Sequence, residues 1–241
     1  MTTAATVPAP PTDRVVTLQD IIDFAAAGRG TLEEVSKGLT SPIDLARFRL
    51  LIKRIDLVIS SQRPTNSRRT KSQFMAAQNR AKGKLFEQLV GIVLESSQAF
   101  SIYGNIQTLT NEIDWLVYLA PLRILLPALS TWGSHFICEC KMSSKALDGN
   151  WVSRLYTLTQ THGTQVAVLF TAKEIANKGS GARPLRAIQD LCILGNPAFI
   201  IRVNLDELIT CVESGQSPLV ILSNKYVELR SRRLRVGLLN A

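Results

Sequence analysis

The sequence predicts an α/β fold with a central mixed β-sheet flanked by helices, and three observations support this class. An apolar fraction of 46% is sufficient for a globular core. Segments with helical periodicity alternate with short runs of β-branched and aromatic residues through the second half of the chain. Two of these runs are consecutive and the later ones are separated by helical segments, an order that implies a mixed sheet between helices.

The N-terminal part of the chain predicts a helical region with three helix starts. Thr17 is suited to cap the first helix, and Thr31 begins a capping-box pattern for the second. Ser41 begins a similar pattern for a longer helix over residues 42–60. A short helix, a turn and a longer helix also occur in DNA readers of the helix-turn-helix type, although a helical subdomain or a dimer contact is the commoner arrangement.

A change in composition separates this region from the rest of the chain. Residues 62–73 are polar, basic and free of large apolar side chains, which is typical of a linker. The chain therefore divides into a flexible N-terminus, a helical region, a basic linker and an α/β domain, at residues 1–13, 14–61, 62–73 and 74–241. Within the last part, helices are predicted in residues 74–97, 150–162, 183–194 and 205–214, and strands in residues 113–119, 134–142, 164–171 and 198–203.

The cysteine and hydropathy patterns exclude several classes of protein. The four cysteines include no CxxC pair and the chain has two histidines, so a zinc cage is not expected. Reduced cysteines indicate a cytoplasmic protein. The most apolar window, residues 115–130, is interrupted by Pro121, Arg123 and Pro127, so a membrane-spanning helix is not expected there.

The net charge of +9 comes from two local runs of basic residues. Residues 63–84 hold seven Lys or Arg and no acid, and residues 225–235 hold five bases and one acid. Such a local excess is typical of a surface that binds phosphates, although two solvated charge runs would have the same composition. The candidates for DNA binding are Arg63, Arg68, Arg69, Lys71, Arg80, Lys82 and Lys84.

The segment HFICECK places an acid and a base inside an otherwise apolar strand. Side chains alternate along a strand, so Glu139 and Lys141 share one face while Cys138 and Cys140 share the other with Phe136. An unpaired charge in such a strand is unfavourable. A (D/E)-x-K triplet nevertheless occurs about once by chance in a chain of this length, so the triplet alone is weak evidence.

Asp114 opens the preceding predicted strand and supplies a second acid. If the two strands pair, Asp114 and Glu139 converge at one end of the sheet. Two carboxylates are hard oxygen ligands suited to Mg²⁺, and Lys141 would lie beside the metal-bound water. Glu87 supplies a third carboxylate on the helix that precedes the two strands.

The chain has, in order, Glu87, Asp114 and Glu139-Cys140-Lys141, followed by a helix and an apolar strand. This order resembles the signature of the PD-(D/E)xK nuclease superfamily. Residues 80–172 cover the core of that family, and residues 198–215 resemble the later strand and helix of its Mrr-like and type II restriction branches. Ile113 stands where the family has its eponymous proline. The resemblance implies a restriction-endonuclease-like sandwich with an added N-terminal helical region.

The same resemblance implies roles for individual residues. Asp114 and Glu139 match the metal ligands, Glu87 matches the first-helix acid, and Lys141 matches the lysine that orients or activates the attacking water. The implied protein is an Mg²⁺-dependent endonuclease of restriction or defence type, with Mn²⁺ as a substitute, which cuts double-stranded DNA as a homodimer. The alternatives are a Holliday-junction or other structure-specific nuclease, a non-catalytic DNA-binding protein, and a structural subunit in which Glu139 and Lys141 simply pair.

Overall fold

The computed structural model describes six parts of the chain, with a five-stranded sheet at their centre. These parts are residues 31–63, 70–107, 112–142, 149–172, 182–192 and 197–239. Their strands are β1 (Phe100–Gln107), β2 (Glu112–Leu119), β3 (His135–Lys141), β4 (Val166–Thr171) and β5 (Phe199–Asn204). Their helices are α1 (Leu32–Gly38), α2 (Leu45–Ser60), α3 (Lys71–Glu95), α4 (Pro127–Ser130), α5 (Gly149–Thr161), α6 (Ala182–Leu191), α7 (Leu205–Glu213) and α8 (Pro218–Leu239), with a 3₁₀ helix at Pro121–Leu125.

The sheet is mixed and its strands lie in chain order. β1, β2 and β3 are antiparallel neighbours, whereas β3, β4 and β5 run parallel. Because parallel neighbours need a crossover connection, α5 joins β3 to β4 and α6 joins β4 to β5. The prediction of an α/β fold with a mixed sheet flanked by helices is confirmed.

Each face of the sheet has its own apolar core. The larger core includes side chains of α2, α3, α7 and α8, and it takes Phe136, Cys138 and Cys140 from β3. The smaller core lies under α5 and α6 and takes Ile137 from β3. β3 is therefore buried on both faces, and the alternation predicted for its side chains is confirmed. The four cysteines are free and buried, as small apolar residues of the interior.

Side-chain caps set the beginnings of the first two described helices. Thr31 caps α1 in a complete capping box with Glu34, as the sequence predicts. In α2 the cap is Asp44, whose side chain accepts the N–H group of the third helical residue, so the helix begins at Leu45. The predicted start at Ser41 is wrong, because the carboxylate that forms the cap lies closer to the first helical turn.

α3 is the longest helix and connects the N-terminal helices to the sheet. Thr70 caps it in a second capping box, so the helix begins at Lys71, inside the stretch predicted as a linker. The side-chain amide of Gln78 donates to the Val58 carbonyl at 2.6 Å and so satisfies the C-terminal end of α2. The first predicted helix, behind Thr17, lies outside the described residues.

Besides the short helical turns between β2 and β3, two longer elements were missed in the sequence, β1 and α8. β1 is an edge strand in which Phe100 is buried and most other residues are exposed. Gly104 interrupts the alternation of Phe100, Ile102 and Ile106, which weakens the strand pattern. α8 contains the second basic run and begins at Pro218, a residue favoured in the first helical turn. It is anchored on the larger core by Leu219, Leu222 and Tyr226.

The long apolar link between β2 and β3 folds back onto the larger core. Leu126 and Leu129 are fully buried, and the Trp132 ring meets the Phe136 ring edge to face with 5.2 Å between centroids. The apolar window noted above therefore forms a strand, two short helical turns and part of the interior. Among the helices that the structure describes, none is both long and apolar enough to cross a membrane.

Trp115 of β2 is packed between two glycines, and this contact joins α3 to the sheet. A methyl group on Gly91 of α3 would lie 2.8 Å from the Trp115 ring, and one on Gly104 of β1 would lie 2.8 Å from the same ring. Neither position accepts a side chain while the ring stays in place. Since Asp114 precedes Trp115, this packing also fixes the strand beside the candidate site.

Gly91→Ala should destabilise the protein by about 1–3 kcal/mol, because the added methyl group must displace the indole ring. Gly83 offers a matched control on the same helix, since nothing lies within 4 Å of a methyl group built there. Gly83→Ala should be neutral or stabilising by up to about 1 kcal/mol, the difference in helix propensity. Urea unfolding measures both variants, and an equal loss of stability in the two would contradict the packing argument.

Candidate active site

The ends of β2 and β3 bring Asp114 next to Glu139. Backbone pairing of the two strands ends at Trp115 and Cys138, one residue before these acids. Asp114 Oδ2 accepts the N–H group of Cys140 at 2.6 Å. The Asp114 carboxylate thus satisfies the Cys140 N–H group where the backbone pairing of β2 and β3 ends. This hydrogen bond fixes the orientation of the carboxylate.

β2 changes faces at Asp114. Ile113 packs into the smaller core whereas Trp115 packs against the larger one, although alternate residues of a regular strand share a face. Opposite this point, Asn105 of β1 has a φ of 53° and interrupts the pairing of β1 with β2. Asparagine tolerates this left-handed conformation better than most residues. The irregularity lets Asp114 turn toward β3 instead of toward one face of the sheet.

Glu139 is a buried carboxylate with two cations beside it. Its side chain is 1% exposed, Lys141 Nζ lies 2.8 Å from Oε2, and Nη2 of Arg154 in α5 lies 3.8 Å from Oε1. Beyond the Lys141 contact, neither oxygen has a hydrogen-bond partner in the part of the chain that the structure describes. The two ion pairs therefore compensate the charge only in part, and most of the hydrogen-bonding capacity of the carboxylate is unused.

Lys141 lies between the two acids. Its Nζ is 2.8 Å from Glu139 and 3.9 Å from Asp114 Oδ2. The Trp151 ring of α5 covers the ammonium, with 4.3 Å between Nζ and the ring centroid. Because one fifth of the Lys141 side chain is exposed, the ammonium marks the side on which the group of acids meets solvent.

Glu87 approaches the same group from α3. Gly91, one turn further along this helix face, contacts β2, so Glu87 is carried close to the strand end. Burial raises the pKa of Glu87, the charge of Asp114 raises it further, and the charge of Lys141 acts in the opposite direction. The structure therefore gathers the four residues predicted from the sequence at one end of β2 and β3: Glu87, Asp114, Glu139 and Lys141.

Burial raises the pKa of the two strand carboxyls above their ordinary values. For Asp114, burial is the largest cause, and the Lys141 charge and the Cys140 N–H act against it. For Glu139, burial is again the largest cause, partly offset by Lys141 and reinforced by Asp114. The negative charge of this site is thus incompletely compensated, which is typical of functional carboxylates.

The carboxylate oxygens of Asp114 and Glu139 are the kind of ligand that a hard divalent cation prefers. Asp114 and Glu139 offer carboxylate oxygens on either side of the Lys141 ammonium, and beyond the Lys141 contact neither Glu139 oxygen has a hydrogen-bond partner among the described residues. Within those residues, no three His, Cys, Asp or Glu side chains are grouped closely enough to bind a metal together. Mg²⁺ commonly binds one or two carboxylates and completes its shell with water and phosphate oxygens. Asp114 and Glu139 could thus supply part of the coordination shell of such a cation, and the described residues do not form a full protein cage.

Only some of the basic residues predicted to bind DNA lie on the same helix face as Glu87. Arg80 and Lys84 share a helix face with Glu87, because they precede it by about two turns and about one turn. Lys82 points to a different face of α3. The remaining candidates are the exposed Lys71 and Arg63, and Arg68 and Arg69, which lie outside the described residues.

Two residues of α5 join the site and were missed in the sequence. Trp151 covers Lys141, and the Arg154 guanidinium lies 3.8 Å from Glu139. Their separation by three positions places them on one helix face, and this spacing was visible in the sequence. The sequence did not show that this face turns toward Glu139, because that depends on how α5 packs on the sheet.

Comparison of the chain with protein-family models, curated proteins and solved structures found no match in any of the three. Two surface pockets, of about 280 Å³ and about 510 Å³, are lined by residues near the ends of α1, α2, α7 and α8. Neither pocket includes Asp114, Glu139 or Lys141. The larger pocket contains Asp206 and the Glu207–Lys225 ion pair, whose side chains are partly exposed. Glu139 is a stronger guide to function, because its carboxylate is buried and its pKa is raised.

Proposed function

We propose that this protein is a metal-dependent DNA endonuclease of the PD-(D/E)xK class. The observation that carries the proposal is the convergence of an ammonium and two carboxylates from separate strands, with Lys141 Nζ 2.8 Å from Glu139 and 3.9 Å from Asp114. Three antiparallel strands followed by two parallel ones, with helices on both faces, support a restriction-endonuclease-like sandwich.

Asp114 and Glu139 would hold Mg²⁺ or Mn²⁺, with Glu87 as a further acid beside them. Such a cation, when bound, polarises the scissile phosphate and lowers the pKa of the attacking water. Lys141 offers positive charge to the phosphate oxygens that become more negative in the transition state. Asp114 keeps its orientation throughout, because the Cys140 N–H holds one of its oxygens.

The basic face of α3 supports double-stranded DNA as the substrate. Arg80 and Lys84 extend from Glu87 toward the beginning of the helix, so phosphates on that side of the cut can be neutralised there. Contacts of this kind position DNA without reading its sequence. Because cutting both strands of a duplex needs two such sites, we expect a homodimer.

The additional helices favour an enzyme of restriction or defence type. α1 and α2 precede the sheet and pack on its larger core, and α8 adds a long C-terminal helix. A structure-specific nuclease such as a Holliday-junction resolvase is the alternative within the same class, and a more compact chain would favour it.

Cleavage assays on three substrates test the proposal. The purified chain is incubated with supercoiled plasmid, linear duplex and a four-way junction in Mg²⁺, in Mn²⁺ and in EDTA. We expect nicking and linearisation of the plasmid with either metal and none in EDTA. Cutting restricted to the junction would favour the structure-specific alternative, and salt-sensitive binding without cleavage in either metal would favour a non-catalytic DNA-binding protein.

A further inference from the structure

Arg154 has hydrogen-bonding capacity left over at the edge of the candidate active site. Its Nη2 donates to the Glu112 carbonyl at 3.0 Å and lies 3.8 Å from Glu139 Oε1, too far for a hydrogen bond. Its Nε is buried and has no hydrogen-bond partner among the described residues. A phosphate from solvent cannot reach the buried Nε, so the donors that remain for a ligand are those of the two terminal nitrogens, Nη1 and Nη2.

Trp151 holds two cations at the same place. Lys141 Nζ lies 4.3 Å from the centroid of the Trp151 ring, and the central carbon of the Arg154 guanidinium lies 5.1 Å from it. Two like charges beside one another repel, but the negative face of an indole ring attracts both. The first turns of α5 thus gather two positive charges above Glu139, and about a third of the Arg154 side chain is exposed to solvent.

We infer that Arg154 binds a phosphate of the DNA substrate and that Trp151 is the residue that positions Arg154 and Lys141 for it. This inference rests on the proposed function. A planar guanidinium matches the oxygens of a phosphodiester with two parallel hydrogen bonds, a geometry that the single ammonium of Lys141 does not offer. A phosphate that reaches Lys141 on its exposed side meets Arg154 on the same ring.

The competing explanation is purely structural, with Arg154 acting as a clamp between α5 and the Glu112 carbonyl of β2. Arg123 provides a matched control, because its guanidinium also donates to a backbone carbonyl, that of Gly133, in the link between β2 and β3. Removal of a clamp lowers the stability of the folded chain, but it does not change how many phosphate counterions are released on DNA binding.

The experiment measures equilibrium binding of a short labelled duplex in EDTA from about 50 to 200 mM salt, together with urea unfolding. Arg154→Met should weaken binding about tenfold, the effect of losing a charged hydrogen bond, and reduce the slope of log K against log salt by about 0.9. Arg154→Lys should keep the slope, because the charge remains, and lose part of the affinity. Arg123→Met should bind as the wild type does.

Trp151 variants test the positioning role. Trp151→Phe keeps an aromatic face and should retain most of the affinity, whereas Trp151→Leu should lose about as much affinity as Arg154→Met. If both variants bind as tightly as the wild type, the positioning role is wrong.

The outcomes separate this inference from the proposed function. If the wild type cuts DNA and Arg154→Met binds with an unchanged slope, the phosphate contact is refuted while the nuclease assignment stands. If the wild type neither binds nor cuts DNA, both are refuted. If Arg154→Met loses stability but binds DNA as the wild type does, Arg154 has only the structural role of joining α5 to β2.

Discussion

Lys141→Met should lower the rate of metal-dependent DNA cleavage by roughly 10²- to 10³-fold, with a much smaller loss of DNA affinity. Methionine keeps the length and apolar stem of lysine but removes the positive charge that lies 2.8 Å from Glu139 and 3.9 Å from Asp114. A charge that acts mainly on the transition state affects kcat more than KM. Single-turnover cleavage of plasmid, with the enzyme in excess, measures the effect directly.

Lys225 supplies the control for this substitution. Its Nζ lies 2.6 Å from Glu207, and its side chain is 25% exposed, compared with 20% for Lys141. The two lysines are therefore matched in ion pairing and exposure, but Lys225 belongs to α8 and lies apart from the three acids. Lys225→Met should cleave at the wild-type rate, and an equal loss of cleavage in the two variants would show that Lys141 has no special role.

Glu139→Gln should abolish cleavage and yet stabilise the metal-free protein at neutral pH, because burial disfavours the ionised carboxylate in the folded state. The carboxylate is 1% exposed and, beyond the Lys141 contact, its oxygens have no hydrogen-bond partner among the described residues, so its charge is incompletely compensated. Glutamine keeps the shape and removes the charge. The Lys141 ammonium is not stranded by this change, because Asp114 remains 3.9 Å away and part of the lysine is exposed.

The pH dependence of this effect has a definite sign. Burial raises the pKa of Glu139, so the folded state binds its proton more tightly than the unfolded state. The contribution of this group to stability is then greatest below the ordinary carboxyl pKa, about 4.3, and is lost as the pH rises through the raised pKa of the folded state. The advantage of Glu139→Gln over the wild type should therefore appear above about pH 4 and grow until that pKa has been passed.

Urea unfolding in EDTA at several pH values tests this expectation, with Glu207→Gln as the control. The Glu207 carboxylate accepts the Asn204 N–H at 2.8 Å and pairs with Lys225, so its loss should lower stability. If Glu139→Gln behaves like Glu207→Gln and is less stable than the wild type, Glu139 is part of a structural ion pair and is not held in an unfavourable state for function.

Much of the architecture follows from local patterns in the sequence. Periodicity and capping residues predict the helices and strands that form the parallel half of the sheet, because buried strands between helices have strong apolar signals. The capping box predicted at Thr31 is present, and Asn204 caps α7 in another capping box. The alternation in β3 predicts which side chains of HFICECK face the larger core, and the structure agrees.

The missed features depend on packing that local patterns do not contain. β1 lies at the edge, and Gly104 interrupts the alternating pattern of its apolar residues. The turn of Asp114 toward β3 depends on the irregular pairing at Asn105, and the approach of Glu87 depends on the contact of Gly91 with the Trp115 ring. The sequence predicted that two acids and a lysine would converge, but Trp151 and Arg154 join them only because of the orientation of α5 on the sheet.

The most direct test of the central claim is plasmid cleavage by Asp114→Asn beside the wild type, in Mg²⁺ and in Mn²⁺. Asparagine can still accept the Cys140 N–H through its side-chain oxygen, so the fold at the end of β2 is preserved while a charged ligand is lost. We predict that the wild type nicks and linearises the plasmid with either metal, and that Asp114→Asn binds the same DNA without cutting it. Cleavage that survives in Asp114→Asn would contradict the proposed active site.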